Sequence, residues 1–168
     1  MNSTGKPEWR PVSHHEIAEV RQQIVNEQNA LFTLRDWQAG DVIADFSAGT
    51  ISAEPTYLTV QVEKGKHITL TPEFLQYINH SCNPNVFFDT TQMQLVALKD
   101  IQTGTELCFF YPSSEWEMTQ SFRCYCGSPA CLGEIKGAAY LTSGQVSQYR
   151  FTDFIQSCLA KKADKKVA

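Results

Sequence analysis

The sequence predicts a mainly β fold of small sheets, flanked by an N-terminal and a C-terminal helix. Three observations predict it. Short β-prone runs broken by turn residues recur between Ala30 and Tyr111, whereas helix-period patterns are confined to the two ends. At 168 residues, with 42% hydrophobic and 19% charged, the chain has the length and balance of one globular domain with its own core.

The elements follow in order. Residues 1 to 12 hold glycine, two prolines and little pattern, which predicts a loose leader. Ser13-His14-His15-Glu16 has the S-x-x-E form of a capping box, and Ile17, Val20, Ile24 and Val25 recur behind it at helical spacing, predicting an amphipathic helix. ALFTLRDWQAGDVIADFSA carries short strands broken at Ala39-Gly40-Asp41, and YLTVQVEKGKHITL reads as a hairpin turning at Lys64-Gly65-Lys66. Thr71-Pro72-Glu73 suits the start of a short helical turn. VFFDTTQMQLVALKDIQTGTELCFFYP supplies three more short strands, and Phe151, Phe154, Ile155, Cys158 and Leu159 mark one face of a C-terminal helix ending in a solvated KKADKK cluster.

Composition excludes several classes. A formal charge of −4 does not favour a nucleic-acid backbone as partner. No apolar run approaches the roughly 20 residues that cross a bilayer, and the N-terminus lacks a signal-peptide layout. The expected location is intracellular, cytoplasmic or nuclear. In that setting clustered cysteines point to metal rather than disulfides, and Cys108 and Cys158 read as buried free thiols.

Three segments carry chemistry. Cys82 lies mid-chain, and Cys124-x-Cys126-x4-Cys131 follows in RCYCGSPACLG. Four thiolates there make a closed, structural zinc site; the alternative is a buried Cys82 and a weak three-cysteine site. Tyr77-Ile78-Asn79-His80-Ser81-Cys82-Asn83-Pro84-Asn85 reads as a loop whose Asn and His side chains either bind a ligand or form Asx turns. GTELCFFY is a strand arriving at Tyr111, a residue that by itself would be assigned to the core.

Together, NHSCNPN, GTELCFFY and CYCGSPACLG resemble three motifs of the SET-domain protein lysine methyltransferases, in the same order and spacing. The resemblance spans roughly residues 30–140. It implies a β-clip-like SET fold with a C-terminal pseudoknot, divided into a leader and helix (1–28), a SET domain (29–116), a post-SET zinc segment (117–140) and a C-terminal helix and tail (141–168). It implies S-adenosylmethionine as cofactor, with Asn79 and His80 contacting it, Ala30 and Phe32 in the stretch that approaches it, and Leu132 near its adenine. Tyr111 matches the tyrosine beside the transferred methyl. Phe109 matches the position that sets methyl number, and phenylalanine there resembles the di- and trimethylating members. Cys82, Cys124, Cys126 and Cys131 match the zinc ligands. The implied partner is a lysine-containing protein or peptide, a histone tail or another basic protein. A noncatalytic, zinc-stapled interaction module on the same fold is the alternative.

The chain departs from the family pattern at two places. Asn29-Ala30-Leu31-Phe32 stands where members carry G-x-G, and a positive φ at Ala30 would cost about 1–2 kcal/mol. Thr105 replaces the usual glutamate of the last strand motif, while Glu106 is retained. Thr50 to Gln76 corresponds to the variable insert that forms one wall of the peptide groove.

Overall fold

The computed structural model describes residues 6–167, so leader residues 1–5 and Ala168 lie outside the described part. Among the described residues five small sheets carry the fold. β1 (Trp9–His14), β2 (Ala18–Gln23) and β3 (Asn29–Thr33) form one antiparallel sheet. β4 (Val42–Asp45) joins a later hairpin over residues 86–97, while β5 (Ser47–Ser52), β6 (Val60–Glu63) and β7 (Lys66–Thr71) form a third sheet in the order β5-β7-β6. β8 (Asn79–His80) precedes β9 (Val86–Asp89) and β10 (Gln94–Ala97), and pairs in parallel with β11 (Cys108–Phe109). β12 (Phe122–Arg123) and β13 (Glu134–Ile135) bracket the cysteine run, and α1 (Ser143–Val146) and α2 (Asp153–Val167) close the chain.

The N-terminal helix expected over residues 13–25 is absent; those residues form the β1–β2 hairpin. Ala18 and Val20 are buried while Ile24 and Val25 are exposed, so a two-residue period fits the burial and the helical spacing does not. Pairing β2 with the fully buried centre of β3 outweighs local helix propensity, because the strand hides Ala18 and Val20 against Leu31 and its neighbours. Ser13 Oγ bonds the His15 ring at 3.0 Å instead of capping a helix. The leader also becomes ordered earlier than expected: Trp9 packs edge-on against Phe32 at 5.0 Å.

Other expectations hold. Gly40 and Gly65 take positive φ at the two anticipated turns, and a short helical turn over Glu73–Tyr77 follows Pro72. The C-terminal helix buries Ile155 completely and rests Phe154 and Leu159 on Phe110, Ala138 and Leu141. Within its lysine cluster Lys162 is not merely solvated, for its ammonium donates to the Ala139 and Leu141 carbonyls. Cys108 and Cys158 are free thiols but half-buried rather than buried.

One core spans the first sheets, with Leu31, Ile68, Leu75, Ile78, Phe88 and Leu95 fully enclosed. Each such side chain contributes about 1.5–3 kcal/mol by leaving water. This core is the platform on which β8 and β11 lie side by side.

Candidate active site

The parallel pair β8–β11 sets Asn79 opposite Cys108 and His80 opposite Phe109. Sequence reading assigned Asn79 and His80 to a loop; the short strand escapes notice because its partner lies far along the chain. The loop that follows wraps β11 from both ends. Ser81 N donates to Phe109 O at 3.0 Å and Asn85 N to Cys108 O at 3.0 Å, while Asn85 Oδ1 accepts from Cys108 N at 2.8 Å. These bonds hold the N-H-S-C loop against β11 along its length.

Asn79 Nδ2 donates to Asn29 O at 2.9 Å and reaches Glu106 Oε1 at 3.4 Å, which ties β8 to β3 and to the strand leading into Tyr111. Tyr111 N donates to His80 Nδ1 at 3.2 Å, so the ring proton sits on Nε2, facing Cys82 Sγ at 3.4 Å. Burial holds His80 down at about 4, leaving the ring neutral in ordinary conditions. Burial pushes the Tyr111 hydroxyl up to about 12, so it stays a phenol. Alternation along the strand turns Phe109 and Tyr111 to one side and Phe110 to the other. Phe109 leans on Tyr111 at 4.7 Å and edge-on to Phe88 at 4.8 Å, whereas Phe110 stacks on Tyr149 at 3.7 Å. Tyr149 in turn donates to the Cys82 carbonyl at 2.9 Å, pinning the C-terminal segment to the N-H-S-C loop.

Cys82, Cys124, Cys126 and Cys131 come together as the spacing predicts, with their sulfurs all within 4.8 Å of one another. Cys82 Sγ and Cys124 Sγ are 3.9 Å apart, near the ~3.8 Å edge of a tetrahedron with Zn–S bonds of about 2.3 Å. The donor set fits zinc and leaves no ligand position for substrate. Burial raises the Cys82 thiol and lifts Cys124 to about 11, a cost that a bound cation reverses by holding thiolates. His80 Nε2 and the Leu132 amide, at 3.4 Å each, aim hydrogens at Cys82 Sγ.

Tyr111 and Phe109 face a cavity of about 560 Å³, whose other walls include Thr56 and Tyr57 of the insert, Phe88 and Phe122. The insert thus supplies one wall. Ala30 is fully buried in β3 and, among the described residues, positive φ outside glycine occurs only at Glu27 and Met93. The missing glycine therefore brings no strain. Phe32 is covered by Trp9 and by the Arg21 guanidinium at 4.5 Å from its ring. Leu132 packs between the cysteine cluster and the Phe110 cluster. Sequence reading missed the bridging roles of Asn85 and Tyr149, and Glu115 on the cavity wall; only the terminal Asn of NHSCNPN carried a motif signal.

A family model for the SET domain matches residues 28–112. The chain belongs to the SET-domain family. Methyltransferase flvH of Aspergillus flavus is 34% identical over 158 residues, covering 93% of this chain and 88% of its own length. The H3 lysine-36 specific histone-lysine N-methyltransferase of Schizosaccharomyces pombe is 34% identical over 86 residues, 46% of this chain. This SET-domain chain spans only 11% of the length of that histone enzyme. Among solved structures, ctPRC2 in an autoinhibited conformation bound to S-adenosylmethionine aligns with a TM-score of 0.45 and 16% identity, over 74% of this chain and 20% of that one. Full-length similarity to a methyltransferase places the chain in a methyltransferase family.

Proposed function

We propose that the protein moves a methyl group from S-adenosylmethionine to the side-chain amine of a lysine in a protein or peptide. The observation that carries this reading is the placement of Tyr111 and Phe109 on a cavity wall directly beside the Asn79–His80 strand. When bound, the cofactor supplies an electrophilic methyl, and displacement by an amine needs alignment more than acid–base assistance.

The chain's own residues suit both reactants. Asn29 O accepts from Asn79 Nδ2 at 2.9 Å, which fixes the Asn79 carboxamide against β3 where the resemblance puts the cofactor. Ala30 sits in ordinary strand geometry, which removes the main argument for a noncatalytic module. On the acceptor side, lysine in water is protonated near pKa ~10.4 and is no nucleophile. Aromatic walls at Phe88, Phe109, Tyr111 and Phe122 strip water from the ammonium and favour the neutral amine. The Tyr111 phenol, protonated throughout the working range, orients that amine by hydrogen bonding. Phe109, lacking a hydroxyl, leaves room for a methylated nitrogen to return, so the reading extends to di- and trimethylation. The zinc segment 117–140, tethered through Cys82, closes the far side without entering the chemistry.

A histone tail or another basic protein fits the net charge of −4. No described helix is long and apolar enough to cross a membrane, and a nuclear or cytoplasmic setting follows from such substrates. The test is radiolabelled methyl transfer onto lysine-containing basic peptides, with product mass reporting the number of methyls. Absence of transfer across a broad lysine-peptide panel, with cofactor bound, would overturn the lysine reading.

A further inference from the structure

The run Ser113-Ser114-Glu115, just beyond Tyr111, is a junction of separate segments. Ser113 O accepts from Thr152 N at 3.0 Å, Ser114 O from Gln61 N at 3.1 Å, and Glu115 O from Ala138 N at 2.8 Å. The C-terminal segment, β6 and the chain after the cysteine run therefore meet on successive carbonyls. Ser113 N donates to Phe110 O at 2.8 Å and Ser114 N to Tyr111 O at 3.1 Å, so the junction sets the backbone at Tyr111.

The side chains of this run are buried without bonds. Ser113 Oγ, Ser114 Oγ, both Glu115 carboxyl oxygens and His67 Nδ1 are sealed from solvent and have no hydrogen-bond partner among the described residues. Such groups are costly, and their concentration at one junction calls for a compensating bond. Glu115 Oε2 lies 4.0 Å from His67 Nδ1, about 1 Å beyond a hydrogen bond, a gap that a small turn of the carboxyl closes. Because Nδ1 is sealed, its lone pair suits an acceptor and the ring proton belongs on Nε2. Burial holds the Glu115 carboxyl up at about 8 and lowers His67, so in neutral solution both are uncharged and the proton sits on the carboxyl. Gln61, Thr152 and Ala138, which hold the junction from other elements, carry no charge. Glu54 of the insert acts on His67 and does not outweigh burial. Glu63 and Glu117 are exposed and bonded to Lys66 and Tyr140, and Tyr111 stays a phenol up to about 12.

We propose that Glu115 and His67 are positioning residues for Tyr111: the neutral acid of Glu115 donates to His67 Nδ1, and this bond latches the junction onto β7. The latch exists only while the carboxyl keeps its proton. The carboxylate left on losing it is a buried charge with no donor among its neighbours, so the junction opens to hydrate it. The latch is therefore shut at neutral pH and opens as pH rises through about 8. The catalytic weight of Tyr111 rests on the proposed function, but the latch is read without turnover.

The experiment follows two carbon NMR signals of the full zinc-loaded chain, the Glu115 carboxyl and the Tyr111 carbonyl, across about two pH units either side of 8. Both are expected to shift with one shared midpoint near 8. Glu115→Gln keeps an N–H donor for His67 Nδ1 and cannot ionise, so its Tyr111 signal is expected to hold the neutral-pH position throughout. Glu115→Leu keeps the bulk and removes the donor, and is expected to show the alkaline Tyr111 position already at neutral pH. His67→Phe removes the acceptor and is expected to match it, which keeps the test open if the leucine variant does not fold. The ratio of parent to E115Q turnover is expected to fall about tenfold or more over the same range, the scale of a misplaced orienting group. A Tyr111 signal that ignores the Glu115 titration overturns the latch, as do leucine and glutamine variants that look alike at neutral pH. Signals that behave as expected without any methyl transfer strike the proposed function and leave the latch standing.

Discussion

The Tyr111 backbone N–H donates to His80 Nδ1 at 3.2 Å, and the opposite edge of the same ring faces Cys82 Sγ at 3.4 Å. One neutral imidazole thus joins the residue proposed to orient the substrate amine to the first cysteine of the metal cluster. Replacing His80 with Phe keeps a ring and removes both bonds. Zinc affinity is expected to fall by about 10–100-fold, the usual cost of losing an outer-shell partner, as read by competition with a chromophoric chelator.

Tyr111→Phe removes only the phenol oxygen. Methyl transfer is expected to drop by about 10²-fold or more, the scale of a lost orienting contact, while zinc content and thermal unfolding stay as in the parent. Unchanged turnover in that variant would remove Tyr111 from its assigned role.

Cys124→Ser breaks the four-sulfur set at a buried position. Elemental analysis is expected to show loss of zinc, and limited proteolysis to open the segment between β12 and β13 first. Tyr111 packs against both this cluster and the core built on Leu31, Phe88 and Leu95, and that core, whose buried members lie outside the cysteine cluster, is expected to remain folded.

Gly137 has φ +124°, and a Cβ there would run into the carbonyl of Trp116. This close approach lets Ala138 and Ala139 donate to Glu115 O at 2.8 Å and Trp116 O at 3.0 Å. Gly137→Ala is expected to destabilise the fold by about 1–3 kcal/mol, visible as a lower midpoint in thermal or denaturant unfolding. A stabilised variant would contradict the close packing of these two segments.

Burial holds the Glu115 carboxyl up at about 8, against an ordinary value near 4.5. Between those values the folded chain keeps a proton that the unfolded chain releases. The contribution of Glu115 is therefore fully present below the lower value and is lost as pH rises through the upper one. His67, the ionisable group facing it, titrates with the opposite sign because burial lowers its pKa. The difference in stability between the parent and E115Q isolates Glu115, and it is expected to shift in favour of E115Q as pH rises from about 4.5 to 8. A pH-independent difference would show that the carboxyl titrates normally.

Much of this was readable from residues near one another in the chain. The turns at Gly40 and Gly65, the hairpin through Lys66, the C-terminal helix and the convergence of four cysteines all depend on local pattern or on ligand chemistry. What escaped reading depends on partners distant in sequence. Ala18 and Val20 fit a helix until β3 claims them as a strand, and Asn79–His80 pairs only because Cys108–Phe109 returns beside it. Glu115 resembles any exposed glutamate in SSEWE, and nothing local tells that Gln61 and Ala138 enclose it.

This SET-domain chain is expected to bind S-adenosylmethionine despite Ala30 in place of glycine. Titration calorimetry of the zinc-loaded protein with the cofactor tests it most directly. A dissociation constant of about 10 µM or tighter, about −7 kcal/mol, is expected. No heat of binding from folded, zinc-loaded protein would contradict it and restore the noncatalytic module as the better reading.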